Sequence, residues 1–161
     1  SCIMAAGVVE YLKSDKKVYV SDSFEGLPKP EKKYKADDND PHHTLEHLKV
    51  SLEQVKDNFK RYGLLNDSVV FIKGFFKDSL KKVPFKKLSV LRMDGDMYSS
   101  TWEVLTLLYN KLSVRGYLIV DDYNALPACK EAITDFRKKM NITDEIIRVD
   151  WSAIYWIKTK K

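Results

Sequence analysis

Leu91-Arg92-Met93-Asp94-Gly95-Asp96-Met97-Tyr98 is an apolar run that stops in two carboxylates, and Gly116-Tyr117-Leu118-Ile119-Val120-Asp121-Asp122-Tyr123 does the same further along. In an open α/β sheet, ligands bind just beyond the carboxyl ends of the strands. Two strands that both stop in Asp aim four carboxylates at such a place. Crowded carboxylates repel unless a proton or a cation neutralises them. A hard divalent cation that takes oxygen ligands, such as Mg²⁺, does this directly. Each pair also has a plainer reading: an Asp-Gly-Asp turn for Asp94 and Asp96, a helix N-cap for Asp121 and Asp122. Two acidic pairs together favour the cation.

Outward from these runs, strands alternate with helices. Residues 17–21, 68–73, 88–93 and 117–120 read as strands. Helices are predicted over 2–12, 44–61, 76–82, 100–112 and 127–140, the second from the helical spacing of Leu45, Leu48, Leu52, Val55 and Phe59. Gly63 ends that helix. Residues 145–149 and 153–157 read as a closing antiparallel pair. The alternation predicts a layered α/β sheet, and 161 residues suffice for one domain with a core. Residues 28–43 are rich in Pro, Lys and Asp without periodicity, and read as a mobile, lid-like loop.

Hydrophobic content of 44% and charged content of 32% are ordinary for a globular protein. The net charge of +5 comes mostly from scattered lysines and the tail (Lys158, Lys160, Lys161), which read as solvated surface. Arg is scarce and no basic run interleaves with aromatics, so no nucleic-acid partner is expected. No apolar stretch has the length of a membrane span, and no secretory leader opens the chain. Cys2 and Cys129 lack metal or redox spacing and read as free thiols of a reducing, cytoplasmic compartment.

Several segments then occur in a distinctive order: DSFEGLP (22–28), SLEQVKDNFKRYGLL (51–65), KGFFKDSL (73–80), LRMDGDMYSST (91–101), GYLIVDDYNALPACKEAITDF (116–136) and RVDWSAIYW (148–156). Together they resemble the macrocin O-methyltransferase family of sugar-modifying enzymes, over nearly the whole chain. The resemblance implies a Rossmann-like class I methyltransferase sheet with helices on both faces and an antiparallel C-terminal strand pair. It implies S-adenosylmethionine and Mg²⁺ as cofactors, a sugar or glycan hydroxyl as acceptor, and assembly as dimers or larger, as related enzymes often do. One departure is large. Such enzymes carry a strand and a Gly-rich loop before the first helix, and here Ser1 falls just after that loop should end. The absent strand would lie between the strand ending at Asp22 and the strand ending at Asp94. The chain is therefore expected to be the carboxyl-terminal part of a longer polypeptide, and neither to fold well nor to bind cofactor tightly alone.

By resemblance, Asp94, Asp121 and Asp122 are the metal ligands and Asp96 is the general base. The chemistry supports that division. A sugar hydroxyl is a very weak acid, a metal on its oxygen lowers its pKa, and a nearby carboxylate then takes the proton. Gly95 is expected to break the strand so that Asp94 and Asp96 both face the site. Asp22 ends the strand whose acid accepts bonds from ribose hydroxyls in nucleotide-binding sheets; Ser23 and Glu25 are weaker candidates for the same pocket. Gly74 permits close backbone approach, and Phe75 or Phe76 faces the adenine or packs in the core. Lys77 and Asp78 could reach the adenine edge.

Tyr98 and Tyr123 are candidates for the sugar site or the core. Trp151 reads as structural, Cys129 as a packed side chain, and His42, His43 and His47 as solvated loop residues. Two other functions compete. A metal-dependent phosphotransferase or hydrolase also uses strand-tip acids, but GxxxxGK[ST] and a nucleophile motif are absent. A non-catalytic module of the same fold would have no evident reason to keep all four carboxylates.

Overall fold

The computed structural model describes residues 2–160; Ser1 and Lys161 lie outside the described residues. Its contacts divide the chain into two units, one of residues 1–28 and 41–79, the other of residues 29–40 and 80–161.

The first unit contains α1 (Cys2–Tyr11), β1 (Val18–Asp22), α2 (Leu52–Arg61), β2 (Val69–Lys73) and the short α3 (Phe76–Ser79). β1 and β2 pair in parallel from Val18 opposite Val69 to Asp22 opposite Lys73, so both strands stop at the same level. Ala6, Val20, Phe24, Phe59 and Val69 form the core of this unit. The rings of Phe59 and Phe71 meet edge to face at 5.6 Å. α2 starts well after the expected position 44. Thr44 Oγ1 donates to Pro41 O at 2.7 Å within a 3-10 turn, and a second 3-10 turn covers Glu46–Leu48. The N-cap is instead Ser51, whose hydroxyl accepts from the Gln54 amide at 3.2 Å. Gly63, at φ +67, closes the helix as expected.

The second unit contains β3 (Leu88–Met93), α4 (Tyr98–Leu108), β4 (Leu112–Val120), α5 (Pro127–Lys139), β5 (Ile147–Arg148) and β6 (Ile154–Ile157). Its sheet runs β3-β4-β6-β5. β3 and β4 are parallel, and β6 is antiparallel to both of its neighbours. β4 begins at Leu112, earlier than the predicted 117. A register shift between Leu88 and Val90, with Arg115 at φ +69, lets the strand run on through Arg115 and Gly116. Leu118, Val120, Ile154 and Trp156 fill the sheet side of the core, with Leu105 of α4 and Ile133 of α5 equally buried. No described helix is long and apolar enough to cross a membrane.

Two surface expectations fail here. Lys158 is 4% exposed rather than solvated. Its Nζ donates to the carbonyls of Tyr109 and Leu112, both at 2.9 Å, and lies 4.5 Å from the Tyr109 ring centroid. Burial lowers its pKa, with Asp144 acting in the opposite sense. Those carbonyls follow α4, at the negative end of the helix dipole, which favours a cation. Trp151, expected to be structural, is 72% exposed in the turn between β5 and β6.

Lys158→Ala removes the donor for two carbonyls and should lower stability by about 2–3 kcal/mol. Urea denaturation checks this; a midpoint unchanged from wild type would mean that water replaces the amine without cost.

Candidate acidic site and cofactor turn

β3 and β4 leave their sheet together. Met93 lies opposite Val120, and the Asp121 amide donates to Met93 O at 3.0 Å. Parallel pairing therefore delivers Asp94 and the Asp121-Asp122 pair to one place. Beyond Asp94 the backbone turns sharply. Asp96 has φ +55, a left-handed conformation unusual for a residue with a side chain but tolerated by Asp. Its amide donates to Asp122 Oδ2 at 3.3 Å. Met97 N–H donates to Gly95 O at 2.6 Å. As a result Asp94, Asp96 and Asp122 each present a carboxylate oxygen, and these lie within 4.8 Å of one another.

Asp121 is not in that group. Arg92 Nε lies 3.1 Å from its Oδ1 and 2.9 Å from its Oδ2, and Arg92 Nη2 lies 2.7 Å from Oδ2. So three of the four strand-tip acids gather, and the fourth turns to an arginine. The third member is Asp96, read above as the base, in place of Asp121. Sequence reasoning overlooked Arg92. The available signal was its position two residues before Asp94, on the same side of a strand.

The group carries the mark of crowding. Asp122 is pushed up to about 6, chiefly by burial and then by the charges of Asp94 and Asp96, against the pull of the Asp96 N–H. Oxygens around Mg²⁺ sit about 2.9 Å apart when adjacent and about 4.2 Å apart when opposite, from bonds near 2.1 Å. The donor set is all oxygen and its charges repel, so these residues fit a hard divalent cation with small side-chain movements.

Around this group, Tyr98 stacks on Trp102 with ring centroids 5.8 Å apart and leans on Tyr34 at 5.7 Å. Its hydroxyl donates to Asp135 at 3.1 Å, and burial followed by Asp135 pushes its pKa up to about 12. The Lys130 amine sits over the Tyr123 ring at 5.3 Å. Cys129 is buried, as its packing role required, and burial pushes its thiol up to about 12. The imidazoles of His42, His43 and His47 are not in the carboxylate group.

In the first unit, the equal ends of β1 and β2 bring two predicted segments together: Gly74 N–H donates to Asp22 O at 2.9 Å. Asp22 is exposed, and its Oδ1 accepts from the Phe24 amide at 2.6 Å. Phe24 takes φ +57 and buries its ring against Phe71 at 6.4 Å. The Ser23 hydroxyl is spent inside the turn, donating to Gly26 O at 2.6 Å and accepting from the Glu25 amide at 3.0 Å. Glu25 pairs with Lys73 at 3.0 Å on the surface. Gly74, at φ +132, is a position where a side chain would be strained, and Ser79 Oγ donates to its carbonyl at 3.0 Å. Phe75 and Phe76 are half-buried, while Lys77 and Asp78 are exposed.

Two parallel strands that end in acids, closed by an antiparallel pair, make the second unit an α/β arrangement, and its likeness to a solved methyltransferase gives the fold its class. The chain matches the structure of the O-methyltransferase NovP with a TM-score of 0.95 at 45% identity, covering 99% of this chain and 67% of that one. The calicheamicin methyltransferase CalS11 shares the fold alone, with a TM-score of 0.69 at 14% identity, covering 96% of this chain and 66% of that one. The macrocin-O-methyltransferase (TylF) family profile matches residues 1–158, and the chain belongs to that family. It is 44% identical over 163 residues to demethyldecarbamoylnovobiocin O-methyltransferase of Streptomyces niveus, covering 99% of this chain and 62% of the relative. It is 43% identical over 166 residues to mycinamicin III 3''-O-methyltransferase of Micromonospora griseorubida, covering 97% and 63%. The chain thus spans less than two thirds of the length of these curated relatives.

In the metal-free chain Asp122 is ionised at neutral pH. Its raised pKa is then a destabilising contribution, which disappears as pH falls through about 6 toward the ordinary 3.8. Asp122→Asn should therefore stabilise the chelated protein by about 1 kcal/mol at neutral pH, after allowance for solvent screening. The gap should close by about pH 4. Denaturant midpoints in excess chelator at both pH values test this, and a destabilised variant at neutral pH would contradict the crowding.

Proposed function

We propose that this chain is the part of an S-adenosylmethionine-dependent O-methyltransferase that binds a divalent cation, Mg²⁺ by preference, and methylates a sugar hydroxyl of a glycan or glycosylated natural product. The grouping of Asp94, Asp96 and Asp122, with Asp122 held above the usual carboxylate range, is the observation that carries this reading. Family membership supports the methyl donor and the acceptor class. The relatives' names have them act on demethyldecarbamoylnovobiocin and on mycinamicin III.

A divalent cation, when bound, lowers the pKa of the acceptor hydroxyl and fixes its oxygen. S-adenosylmethionine, when bound, supplies the electrophilic methyl group. The residues of this chain do the rest. Asp94 and Asp122 would hold the cation through carboxylate oxygens. Asp121, the third ligand by resemblance, is paired with Arg92 and would contribute least. Asp96 takes the hydroxyl proton onto a carboxylate oxygen as general base. Its amide stays on Asp122, so the base and a cation ligand keep a fixed relation. In the first unit, the exposed Asp22 carboxylate would accept bonds from the ribose hydroxyls of the donor. The Gly74 backbone and the faces of Phe75 and Phe76 would receive the adenine. Ser23 shapes the turn, and Glu25 with Lys73 borders it.

Asp96→Asn in the full protein should lower turnover by at least about a hundredfold, the ordinary worth of a general base. Affinity for S-adenosylhomocysteine should stay within about twofold. Calorimetry and a methyl-transfer assay separate the two, and tenfold weaker cofactor binding would argue against Asp96 as base. Asp94→Asn and Asp122→Asn should each raise the Mg²⁺ concentration needed for half-maximal turnover by at least about tenfold, Asp121→Asn by only about threefold. An Asp121→Asn effect equal to the other two would make it a full ligand and the Arg92 pair incidental.

A further inference from the structure

Asp37 lies in the aperiodic segment before α2, where the sequence shows no sign of a role. It is nevertheless fully buried, with 0% exposure. Its Oδ1 accepts from the Tyr98 amide at 2.7 Å and its Oδ2 from the Ser99 amide at 2.9 Å. These are the first amides of α4, which have no partner within the helix. Met97, at the N-cap position, makes no side-chain cap of its own. A carboxylate from a distant segment therefore supplies both bonds, at the end of the helix where negative charge is favoured. Tyr34 of the same segment packs against Tyr98 at 5.7 Å, a second hold on the same turn.

The consequence lies one residue upstream. Asp96 directly precedes Met97 and sits in a left-handed conformation at φ +55. Such a conformation persists only where its surroundings determine it. Met97 is fully buried on one side of Asp96, and β3 ends on the other. Without the Asp37 carboxylate, the first turn of α4, which follows Asp96 and Met97, would lose both of its amide caps, leaving the burial of Met97 as the main restraint on the chain after Asp96. The capping segment, residues 29–40, belongs to the same unit as α4.

We propose that Asp37 is a positioning residue for the acidic site: by capping α4 it fixes the turn that directs the Asp96 carboxylate toward Asp94 and Asp122. This rests on the functional reading above and adds the residue that holds its base. Asp37 is fully buried and is not one of the three acids that gather at the site.

The test uses the full chain, wild type beside Asp37→Ala and Asp37→Asn. Mn²⁺ affinity is measured by electron paramagnetic resonance, methyl transfer by kcat and acceptor KM, and the Tyr98 and Ser99 amides by hydrogen exchange. Asp37→Ala should lose protection at both amides, weaken Mn²⁺ binding and lower kcat by about ten- to a hundredfold, the range for residues that orient ligands, with acceptor KM little changed. Asp37→Asn keeps a side chain of the same size and one carbonyl acceptor, and should restore most of the loss. If Asp37→Ala does not fold, Asp37→Asn decides: weaker Mn²⁺ binding and lower kcat by about three- to tenfold support the proposal. Lost amide protection with wild-type Mn²⁺ affinity and kcat would overturn it. A wild type that neither binds Mn²⁺ nor transfers methyl would instead defeat the functional reading itself, and the positioning role with it.

Discussion

Repulsion between carboxylates, held in place by two parallel strands, is the constraint around which the second unit is arranged. β3 and β4 are locked in register by their own ladder and by the burial of Leu91, Met93, Leu118 and Val120. The acids that follow cannot move apart without giving up that packing. The free energy of crowding has two visible outlets. Asp121 turns to Arg92, and Asp122 is held above the usual carboxylate range. A cation is a third outlet, and the one that makes the arrangement useful for ionising an alcohol.

α4 transmits rigidity to this group. The helix begins immediately after Asp96 and Met97, and it is secured near both ends by buried charged side chains from remote parts of the chain. Asp37 caps its first amides, and Lys158 binds the Tyr109 and Leu112 carbonyls just after its end. An anion at the first turn and a cation beyond the last are the signs that the helix dipole favours. Between them, Leu105 is buried and Trp102 meets Phe136 of α5 edge to face at 6.0 Å. The turn carrying the proposed base thus stands on a helix restrained near both ends.

The turn after β1 achieves rigidity differently. Asp22 and Ser23 spend bonds on the backbone of their own loop, while Phe24 in a left-handed conformation drives its ring into the core. One Asp22 oxygen is engaged by that turn, and the carboxylate remains exposed. A turn pinned by a buried aromatic can present an acid to solvent without ordering it anew for each ligand.

Periodicity and end signals along the chain determined most elements. The α/β class, β3 at Leu88–Met93, Gly63 as a helix stop, the closing antiparallel pair and the two acidic strand tips follow from local pattern, because hydrophobic spacing and backbone chemistry act over a few residues. Family membership was legible from the same motifs. What tertiary structure alone decided are choices between equivalent local options. Thr44 and Ser51 are both acceptable caps, and only Ser51 is used. Lys158 reads like any tail lysine until two carbonyls surround it, and Trp151 like a structural member of the closing strand pair until the turn leaves it exposed. Of four similar acids, which three converge depends on where Arg92 reaches and on a left-handed bond at Asp96. Asp37 meets α4 across about sixty positions of sequence, with no periodic signal to link them. Composition records which charges exist; only the folded backbone settles which of them meet.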